Sequence, residues 1–230
     1  MPSRPMPRPP SPRERARIDR IIGTLKRTVR AWEPTAVGAI AQDGRDPFRV
    51  LVSCLVSLRT TDQVTGPASA RLFRLASTPQ AILRLPPQTI ARAIYPAAFY
   101  RSKGRTLRAL CRTLLDEFGG RVPNAIDDLL RIKGVGRKTA NLVVTLGYGR
   151  PGICVDTHVH RIANRLGWVR TKTPEATELA LRALLPRRHW IPLNDLLVAF
   201  GQNLCRPLSP FCSRCPVAAL CPRVSVVRHR

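Results

Sequence analysis

Apolar residues at helical spacing are the feature that most restricts how this chain can fold. One predicted helix face carries Leu107, Leu110, Cys111, Leu114, Leu115 and Phe118. These positions follow the i, i+3, i+4, i+7 pattern, and residues 48–56 and 193–204 repeat it. Only residues 223–229, RVSVVRH, alternate like a strand. Because there is no internal repeat and no alternation of strands with helices, the sequence predicts an all-α fold.

Two sequence signals predict where helices begin. Asn124 follows Pro123 and can cap a helix that starts within AIDDLLRI, residues 125–132. Thr173 precedes Pro174 and an acidic residue, which is the usual order of a cap, a first-position proline and a first-turn carboxylate. We therefore expect helices to start directly after Asn124 and Thr173.

The charge balance of the chain points to a polyanionic partner. Its 230 residues include 39 Lys and Arg against 14 Asp and Glu, a formal net charge of +25. Residues 1–30 hold nine basic and two acidic side chains, so the rest of the chain still carries +18. Since the excess is not confined to a tail, its field favours nucleic acid as the partner.

The N-terminal stretch, MPSRPMPRPPSPRERAR, is rich in proline and arginine and lacks the apolar segment of a secretory signal. We expect residues 1–12 to form a disordered basic arm, and the proline content disfavours a transit peptide. The sequence contains no apolar run of about 18 residues that could span a membrane. It therefore predicts no membrane partner and a cytoplasmic, nucleoid-associated location.

A tight group of four cysteines lies near the end of the chain. Cys205, Cys212, Cys215 and Cys221 have the spacing C-x6-C-x2-C-x5-C, and the other three of the seven cysteines are scattered. An odd total with one dense group argues against a disulfide framework and for a metal site in a reducing compartment. The residues alone allow either a zinc ion or a [4Fe–4S] cluster.

A glycine turn, IKGVGRKTA at residues 132–140, lies between two predicted helices. It lacks the third glycine of a dinucleotide-binding fingerprint because position 139 is Thr139, and the spacing of Gly134 and Gly136 does not fit a P-loop. Glycines permit close backbone approach, and the N–H groups that start the next helix can bind an anion. We expect a phosphate site. An ordinary helix connection is the alternative, and it leaves the following donors unexplained.

The segments LLRIKGVGRKTANLVV and VDTHVHRIANRLGWV together resemble a helix-hairpin-helix DNA glycosylase of the endonuclease III type. The resemblance runs from about Phe48 to Cys221, most of the chain. It implies a helical-barrel domain over residues 41–150 that ends in the hairpin, and an iron–sulfur cluster domain made of residues 13–40 and 151–230. It also implies a monomer that holds double-stranded damaged DNA in a cleft between the two lobes.

The resemblance assigns catalysis to Lys138 and to Asp156, which lies 18 positions later. A lysine amine can attack the anomeric carbon, expel the base and form a Schiff base, after which β-elimination breaks the 3′ phosphodiester. Because free lysine has a pKa of about 10.4, we expect the helix N-terminus, Arg137 and partial desolvation to lower it. The carboxylate opposes that shift but can stabilise the cationic sugar and relay a proton. A phosphate-contacting lysine and a helix-capping aspartate are the alternatives.

The same resemblance implies a [4Fe–4S] cluster rather than zinc at the four cysteines, where it fixes a loop against the DNA backbone. The family is strongly basic between the first two cysteines, whereas RPLSPF here carries only Arg206. We therefore expect a weaker phosphate grip there, or one transferred partly to Arg214 and Arg223. The hairpin residues expected to contact DNA are Lys133, Gly134, Val135, Gly136, Arg137 and Thr139.

Two departures from the family fall in segments that the resemblance assigns to base flipping. Arg59 stands where a glutamine usually fills the gap left by the flipped nucleotide, and its donor-only guanidinium reads bases differently. Phe99 stands at an apolar wedge position, where it can recover part of the cost of flipping, or it is a core residue. Asp62 is expected to cap a helix. These changes leave the lesion preference open.

The predicted function is that of a bifunctional DNA glycosylase and AP lyase of base excision repair. It removes oxidised pyrimidines through a lysine Schiff base and β-elimination. Narrower chemistry stays open, either AP lyase activity alone or excision of mismatched pyrimidines. The other alternative is a non-catalytic DNA-binding protein that uses the hairpin and the positive charge.

Overall fold

Within the described residues all regular secondary structure is helical. A computed structural model describes residues 10–230, a range in which there is no β-strand and no helix long and apolar enough to cross a membrane. The α-helices are α1 (Pro12–Val29), α2 (Ala36–Gln42), α3 (Pro47–Ser57), α4 (Asp62–Leu75), α5 (Pro79–Arg84), α6 (Pro87–Ile94), α7 (Tyr100–Phe118), α8 (Ile126–Arg131), α9 (Arg137–Leu142), α10 (Thr157–Arg165), α11 (Pro174–Leu184) and α12 (Leu193–Asn203). A π-helical segment (Val143–Gly147) and three 3₁₀ turns (Arg187–His189, Cys212–Arg214 and Ala218–Leu220) complete the regular structure of this range. The all-α prediction is confirmed for the described residues.

The basic arm predicted over residues 1–12 falls almost entirely outside the described residues. Its last three positions are described: Pro10 precedes the helix, whereas Ser11 and Pro12 belong to the start of α1. Ser11 caps this helix by accepting the N–H of Glu14 at 3.2 Å, and Pro12 is the first helical residue. A proline suits that position because its missing N–H has no partner within a helix.

The chain folds as two compact units. The hairpin unit spans Thr35–Gly152, and the cysteine unit combines the described residues 10–34 with Ile153–Arg230. The sequence predicts the first boundary near residue 41, whereas the structure has it at Thr35. The shift has a physical cause, because α1 ends at Val29 and α2 is a separate helix that packs on α3 and α4 of the hairpin unit.

In the hairpin unit the predicted apolar stripe of α7 lies in the core. Leu107, Leu110 and Leu114 are at most 1% exposed, and α7 packs against α5 and α6. Gly104 permits this approach, because a Cβ at that position would lie 2.5 Å from the carbonyl oxygen of Pro87. Helix α7 is thus held by close backbone packing as well as by apolar burial.

In the cysteine unit a second core is formed by α1, α10, α11 and α12. The α1 residues in this core are Ile18, Ile21, Ile22 and Leu25. Thr173 caps α11 by accepting the N–H of Ala176 at 3.2 Å, as the sequence predicts. The N-terminal helix therefore belongs with the C-terminal helices, because its apolar face is buried among them.

Two predicted caps are wrong. Ala125 occupies the position before α8, and no side chain caps this helix, whose first turn instead carries two aspartates. The backbone carbonyl oxygen of Asn124 accepts a hydrogen bond from the side chain of Arg150. Asp62 is the first residue of α4, and Thr61 precedes it in the cap position. In both helices a first-turn carboxylate faces the positive end of the helix dipole without being the cap residue.

The strand-like pattern of residues 223–229 is also misleading, since these residues form no strand. A strand needs a neighbouring edge with which to pair, and the described range contains none. The N–H of Val224 donates instead to the carbonyl oxygen of Arg165 at 3.1 Å, and that of Arg230 donates to Pro210 at 2.8 Å. The terminal segment is therefore fixed to the cysteine unit by isolated hydrogen bonds.

Candidate functional site

The glycine turn joins α8 to α9 as a tight helix–turn–helix, as the sequence predicts. Gly134 has φ of +91°, a conformation that residues with a side chain rarely adopt. The N–H of Val135 donates to the carbonyl oxygen of Ile132 at 3.0 Å and closes the turn. Gly136 has φ of −90°, and a Cβ there would meet open space. Only Gly134 needs to be glycine for conformational reasons, whereas Gly136 keeps the mouth of the turn clear.

The side chains around this turn divide into an accessible and a buried set. Lys133 and Lys138 are exposed, and Arg137 is half-buried. Val135 and Thr139 are buried, with 5% and 4% of their surface exposed. The cluster of donors at the mouth of the turn thus consists of two lysines and one arginine. The hydroxyl of Thr139 and the side chain of Val135 are not among the groups offered to a ligand.

Lys138 is the second residue of α9, which continues directly into the π-helical segment Val143–Gly147. This segment ends against the start of α3, because a Cβ on Gly147 would lie 2.8 Å from the Cα of Pro47. The C-terminal end of this helical stretch is therefore packed against α3, whereas the first turn of α9 carries the exposed side chain of Lys138. That exposure differs from the partial desolvation expected from the sequence, and it leaves Lys138 accessible to a ligand.

Asp156 is the N-cap of α10 and belongs to the cysteine unit, whereas Lys138 belongs to the hairpin unit. Its Oδ1 accepts the backbone N–H groups of His158 and Val159, both at 2.9 Å. Only 9% of the residue is exposed, so the cap fixes its orientation in a largely buried position. The capping interpretation therefore describes the local structure correctly. Because capping leaves the negative charge in place, it is compatible with a catalytic role.

The four clustered cysteines line one cavity of the cysteine unit. They are Cys205, Cys212, Cys215 and Cys221. The thiols are free, and the cavity wall also includes the apolar residues Ile162, Phe200 and Val217. Burial raises the pKa of Cys215 to about 11, and the neighbouring thiols add to the rise. Within residues 10–230, no three His, Cys, Asp or Glu side chains are placed as ligands of one metal ion.

Two arginines of α10 anchor the start of the cysteine loop, residues 205–221. Arg165 is 9% exposed and donates to the carbonyl oxygens of Arg206 at 2.7 Å and Pro207 at 2.5 Å. Arg161 donates to the carbonyl oxygen of Cys205 at 2.9 Å. The helix capped by Asp156 therefore also holds the loop. Sequence reasoning missed both contacts, because arginines on a helix are usually exposed.

Three arginines surround the ring of Phe211 on this loop. The guanidinium carbons of Arg214, Arg230 and Arg206 lie 4.7, 4.9 and 5.2 Å from the ring centroid. All three are exposed, and none forms an ion pair with a carboxylate of the described chain. Arg206 and Arg214 are sequence candidates for phosphate binding, and Arg230 was missed. Arg223, the other candidate, is not part of this group.

Arg59 and Phe99, here named the exposed pair, lie together in the hairpin unit. The guanidinium carbon of Arg59 is 5.7 Å from the ring centroid of Phe99, which is 61% exposed. Phe99 is therefore not a core residue. The backbone of both residues is in the left-handed region, with φ of 55° at Arg59 and 56° at Phe99, which is rare for residues other than glycine. A cavity of about 410 Å³ lies beside the pair and is also lined by Leu55, Leu58, Lys103, Thr106 and Gly134.

The sequence of the chain is similar to those of known DNA repair proteins. A protein-family model described as "HhH-GPD superfamily base excision DNA repair protein" matches residues 52–187. Endonuclease III of Thermotoga maritima is 47% identical over 170 residues, which cover 74% of this chain and 80% of that protein. Endonuclease III-like protein 1 of Mus musculus is 43% identical over 178 residues, which cover 76% of this chain and 59% of that protein.

Solved structures also match the fold. A trapped covalent intermediate of endonuclease III with DNA has a TM-score of 0.79 and 31% identity, and the match covers 91% of this chain and 96% of that one. A thermostable thymine-DNA glycosylase shares the fold at a TM-score of 0.70 and 24% identity, covering 87% and 96% of the two chains. These likenesses confirm the helix-hairpin-helix fold predicted from the sequence.

Proposed function

Because the chain belongs to the HhH-GPD superfamily of base excision DNA repair proteins, we propose that it is a DNA glycosylase with AP lyase activity. Its proposed substrate is an oxidised pyrimidine in double-stranded DNA. The observation that carries the proposal is Lys138, an exposed amine in the helical turn directly after the glycine turn and inside the matched region. The endonuclease III structure with the same fold is a trapped covalent intermediate with DNA, which supports covalent chemistry for this chain.

In the proposed reaction the neutral amine of Lys138 attacks C1′ of the damaged nucleotide. The N-glycosidic bond breaks, and its electron pair leaves with the base, which takes up a proton. The nitrogen then loses a proton while the sugar ring opens, and a Schiff base results. Removal of a C2′ proton forms a carbon–carbon double bond and expels the 3′ phosphate. Hydrolysis of the Schiff base releases the cleaved strand and restores the lysine.

Asp156 supplies the negative charge in this proposal. Breaking the glycosidic bond places positive charge on the sugar, and a fixed carboxylate stabilises that charge in the transition state. It can also accept or relay one of the protons that the reaction moves. The two N–H groups that cap α10 hold the carboxylate in one orientation, so no reorganisation is needed during the reaction.

The DNA backbone is proposed to contact both units. In the hairpin unit the contact is made by the backbone of the glycine turn together with Lys133, which is exposed, and Arg137, which is half-buried. In the cysteine unit it is made by the arginines around Phe211, which have no carboxylate partner in the described chain. The net charge of +25 on the whole chain favours association with a polyanion such as DNA.

We further propose that the four cysteines hold a [4Fe–4S] cluster. Four free thiols that line one apolar cavity fit this group, since such clusters are bound by cysteine thiolates. When bound, the cluster would stabilise the loop that carries Phe211 and Arg206, and it takes no part in the bond-breaking steps. We expect Cys212→Ala to remove iron and sulfide from the purified protein, and Cys111→Ala to retain them. A colourless wild-type protein that contains zinc would contradict the assignment.

The proposed place of action is a reducing cytoplasm, on nucleoid DNA, with the protein acting as a monomer. None of the seven cysteines, all of which lie within residues 10–230, forms a disulfide, and this suits a reducing compartment. The net positive charge supports retention on DNA.

A panel of duplexes, each with a single lesion, tests the proposed function. We expect excision of oxidised pyrimidines followed by strand cleavage with a β-elimination end, and no cleavage by Lys138→Ala. Cleavage of preformed abasic sites alone would reduce the function to a lyase, and excision restricted to mismatched pyrimidines would change the substrate. Tight binding without any cleavage would contradict the enzyme proposal.

A further inference from the structure

Lys103 on α7 is a buried lysine that every sequence argument overlooks. It is 8% exposed, and its Nζ donates to the carbonyl oxygens of Val56 at 2.6 Å and Leu58 at 2.8 Å. A third bond goes to the Oγ1 of Thr60 at 3.0 Å. An ammonium group has three protons, so its full hydrogen-bonding capacity is directed at the end of α3 and at the turn between α3 and α4.

Thr60 connects this turn to a second one. Its Oγ1 also accepts the N–H of Ala98 at 3.1 Å, and Ala98 lies in the turn before α7. The backbone N–H of Lys103 itself donates to the carbonyl oxygen of Phe99 at 2.9 Å. Lys103 and Thr60 therefore join two turns that are about 40 residues apart in sequence.

These two turns present the exposed pair. Arg59 directly precedes Thr60, and Phe99 directly follows Ala98. Both members of the pair have a left-handed backbone conformation, which persists only when the surrounding structure stabilises it. The hydrogen bonds of Lys103 and Thr60 supply that support, whereas the side chains of the exposed pair are accessible to solvent.

We propose that Lys103 is a positioning residue that fixes Arg59 and Phe99 as one rigid unit, so that both enter the duplex together when a base is turned out. This inference rests on the proposed function. Turning out a base costs unstacking energy, and an inserted side chain recovers part of it. Two residues whose backbone is already fixed lose less conformational freedom on insertion than two residues whose turns move independently.

The test compares two substrates for Lys103→Met. One is a duplex with a single oxidised pyrimidine, which must be opened, and the other is a single-stranded abasic oligonucleotide, which needs no opening. We expect excision from the duplex to fall about tenfold or more, as for the loss of hydrogen bonds to a charged group. Lyase cleavage of the single strand should stay close to the wild-type rate. Lys172→Met, at an exposed lysine of the cysteine unit, is the matched control and should change neither rate.

A double-mutant cycle separates positioning from a general structural role. If Lys103 acts through the exposed pair, Lys103→Met causes no further loss once Arg59→Ala and Phe99→Ala are both present. An equal loss in both backgrounds would overturn the proposal. Should Lys103→Met fail to fold, Thr60→Val removes the acceptor that Lys103 and Ala98 share while keeping the lysine and its two other hydrogen bonds, and the same cycle applies. A wild-type protein without excision or lyase activity would instead refute the proposed function, so the two failures are distinguishable.

Discussion

Two lysines of the hairpin unit show how differently the same side chain is used within one region. Lys103 is 8% exposed, and burial lowers its pKa to about 8. Lys138 is exposed in the first turn of α9. A lowered pKa favours a nucleophilic amine, yet all three protons of the Lys103 ammonium are directed at fixed acceptors. In the proposed mechanism the lowered pKa of Lys103 therefore reports its burial, whereas access to substrate makes Lys138 the reacting lysine.

The largest effect is expected for Lys138→Arg. Arginine keeps the positive charge that a phosphate contact needs, but its guanidinium stays protonated and cannot attack a sugar. Strand cleavage at abasic sites should therefore fall at least about a thousandfold, as for the loss of a nucleophile. Gel-based cleavage assays measure the rate, and binding to uncleaved duplex should be nearly unchanged.

The neighbouring Lys133→Arg is the control for that variant, since Lys133 is also exposed at the glycine turn. We expect it to cleave at nearly the wild-type rate. If Lys138→Arg cleaves abasic sites as fast as Lys133→Arg, Lys138 only binds phosphate and is not the nucleophile. The two lysines would then not differ in chemical role.

The next effect concerns two aspartates with the same cap geometry. Asp46 caps α3 by accepting the N–H groups of Phe48 at 2.8 Å and Arg49 at 3.3 Å, much as Asp156 caps α10. Asparagine caps a helix about as well as aspartate but carries no charge. Asp156→Asn should therefore lower excision about a hundredfold at unchanged thermal stability, as for the loss of a general acid–base group. Asp46→Asn should leave both unchanged, and similar activities for the two variants would reduce Asp156 to a cap.

A smaller effect is expected from the arginines around Phe211. If Arg206, Arg214 and Arg230 each neutralise one phosphate, each substitution by alanine lowers the salt dependence of DNA affinity by about 0.9 in the log–log slope. Binding isotherms at several salt concentrations measure this slope. Arg223→Ala is the control, because Arg223 lies outside the group, and a loss of slope there but not at Arg230 would contradict the assignment.

The smallest effect is a pH dependence of stability that comes from Lys103. Its ordinary pKa is 10.5, and burial lowers it to about 8 in the folded chain. Between these values the unfolded chain binds more protons, so the contribution of Lys103 to the unfolding free energy rises with pH. Urea unfolding across this range should show a steeper rise for the wild type than for Lys103→Met. Parallel curves for the two proteins would show that burial does not shift the pKa of this lysine.

Local sequence signals predicted those features that depend on local chemistry. The helical stripes, the Thr173 cap and the glycine turn all follow from residues within a few positions of each other. The same logic failed at Asn124, where a good cap residue was present but the helix began two positions later. It also failed at residues 223–229, where an alternating pattern lacked a strand with which to pair.

The parts of the candidate site that escaped prediction depend on distant neighbours. Lys103 is surrounded by acceptors more than 40 positions earlier in the chain. The contacts of Arg165 with the cysteine loop span a similar distance, and Arg230 meets Phe211 only because the chain returns to the loop. In the sequence each of these residues is one basic residue among 39, and only the fold reveals its partners.

Identification of the lysine that becomes bound to DNA tests the central claim most directly. Borohydride reduces a Schiff base to a stable amine, so the protein should become covalently attached to an oligonucleotide with an abasic site. Proteolysis and mass spectrometry should locate the adduct at Lys138, with none in Lys138→Arg and a full yield in Lys103→Met. An adduct at Lys103, or no adduct in the wild type, would contradict the account.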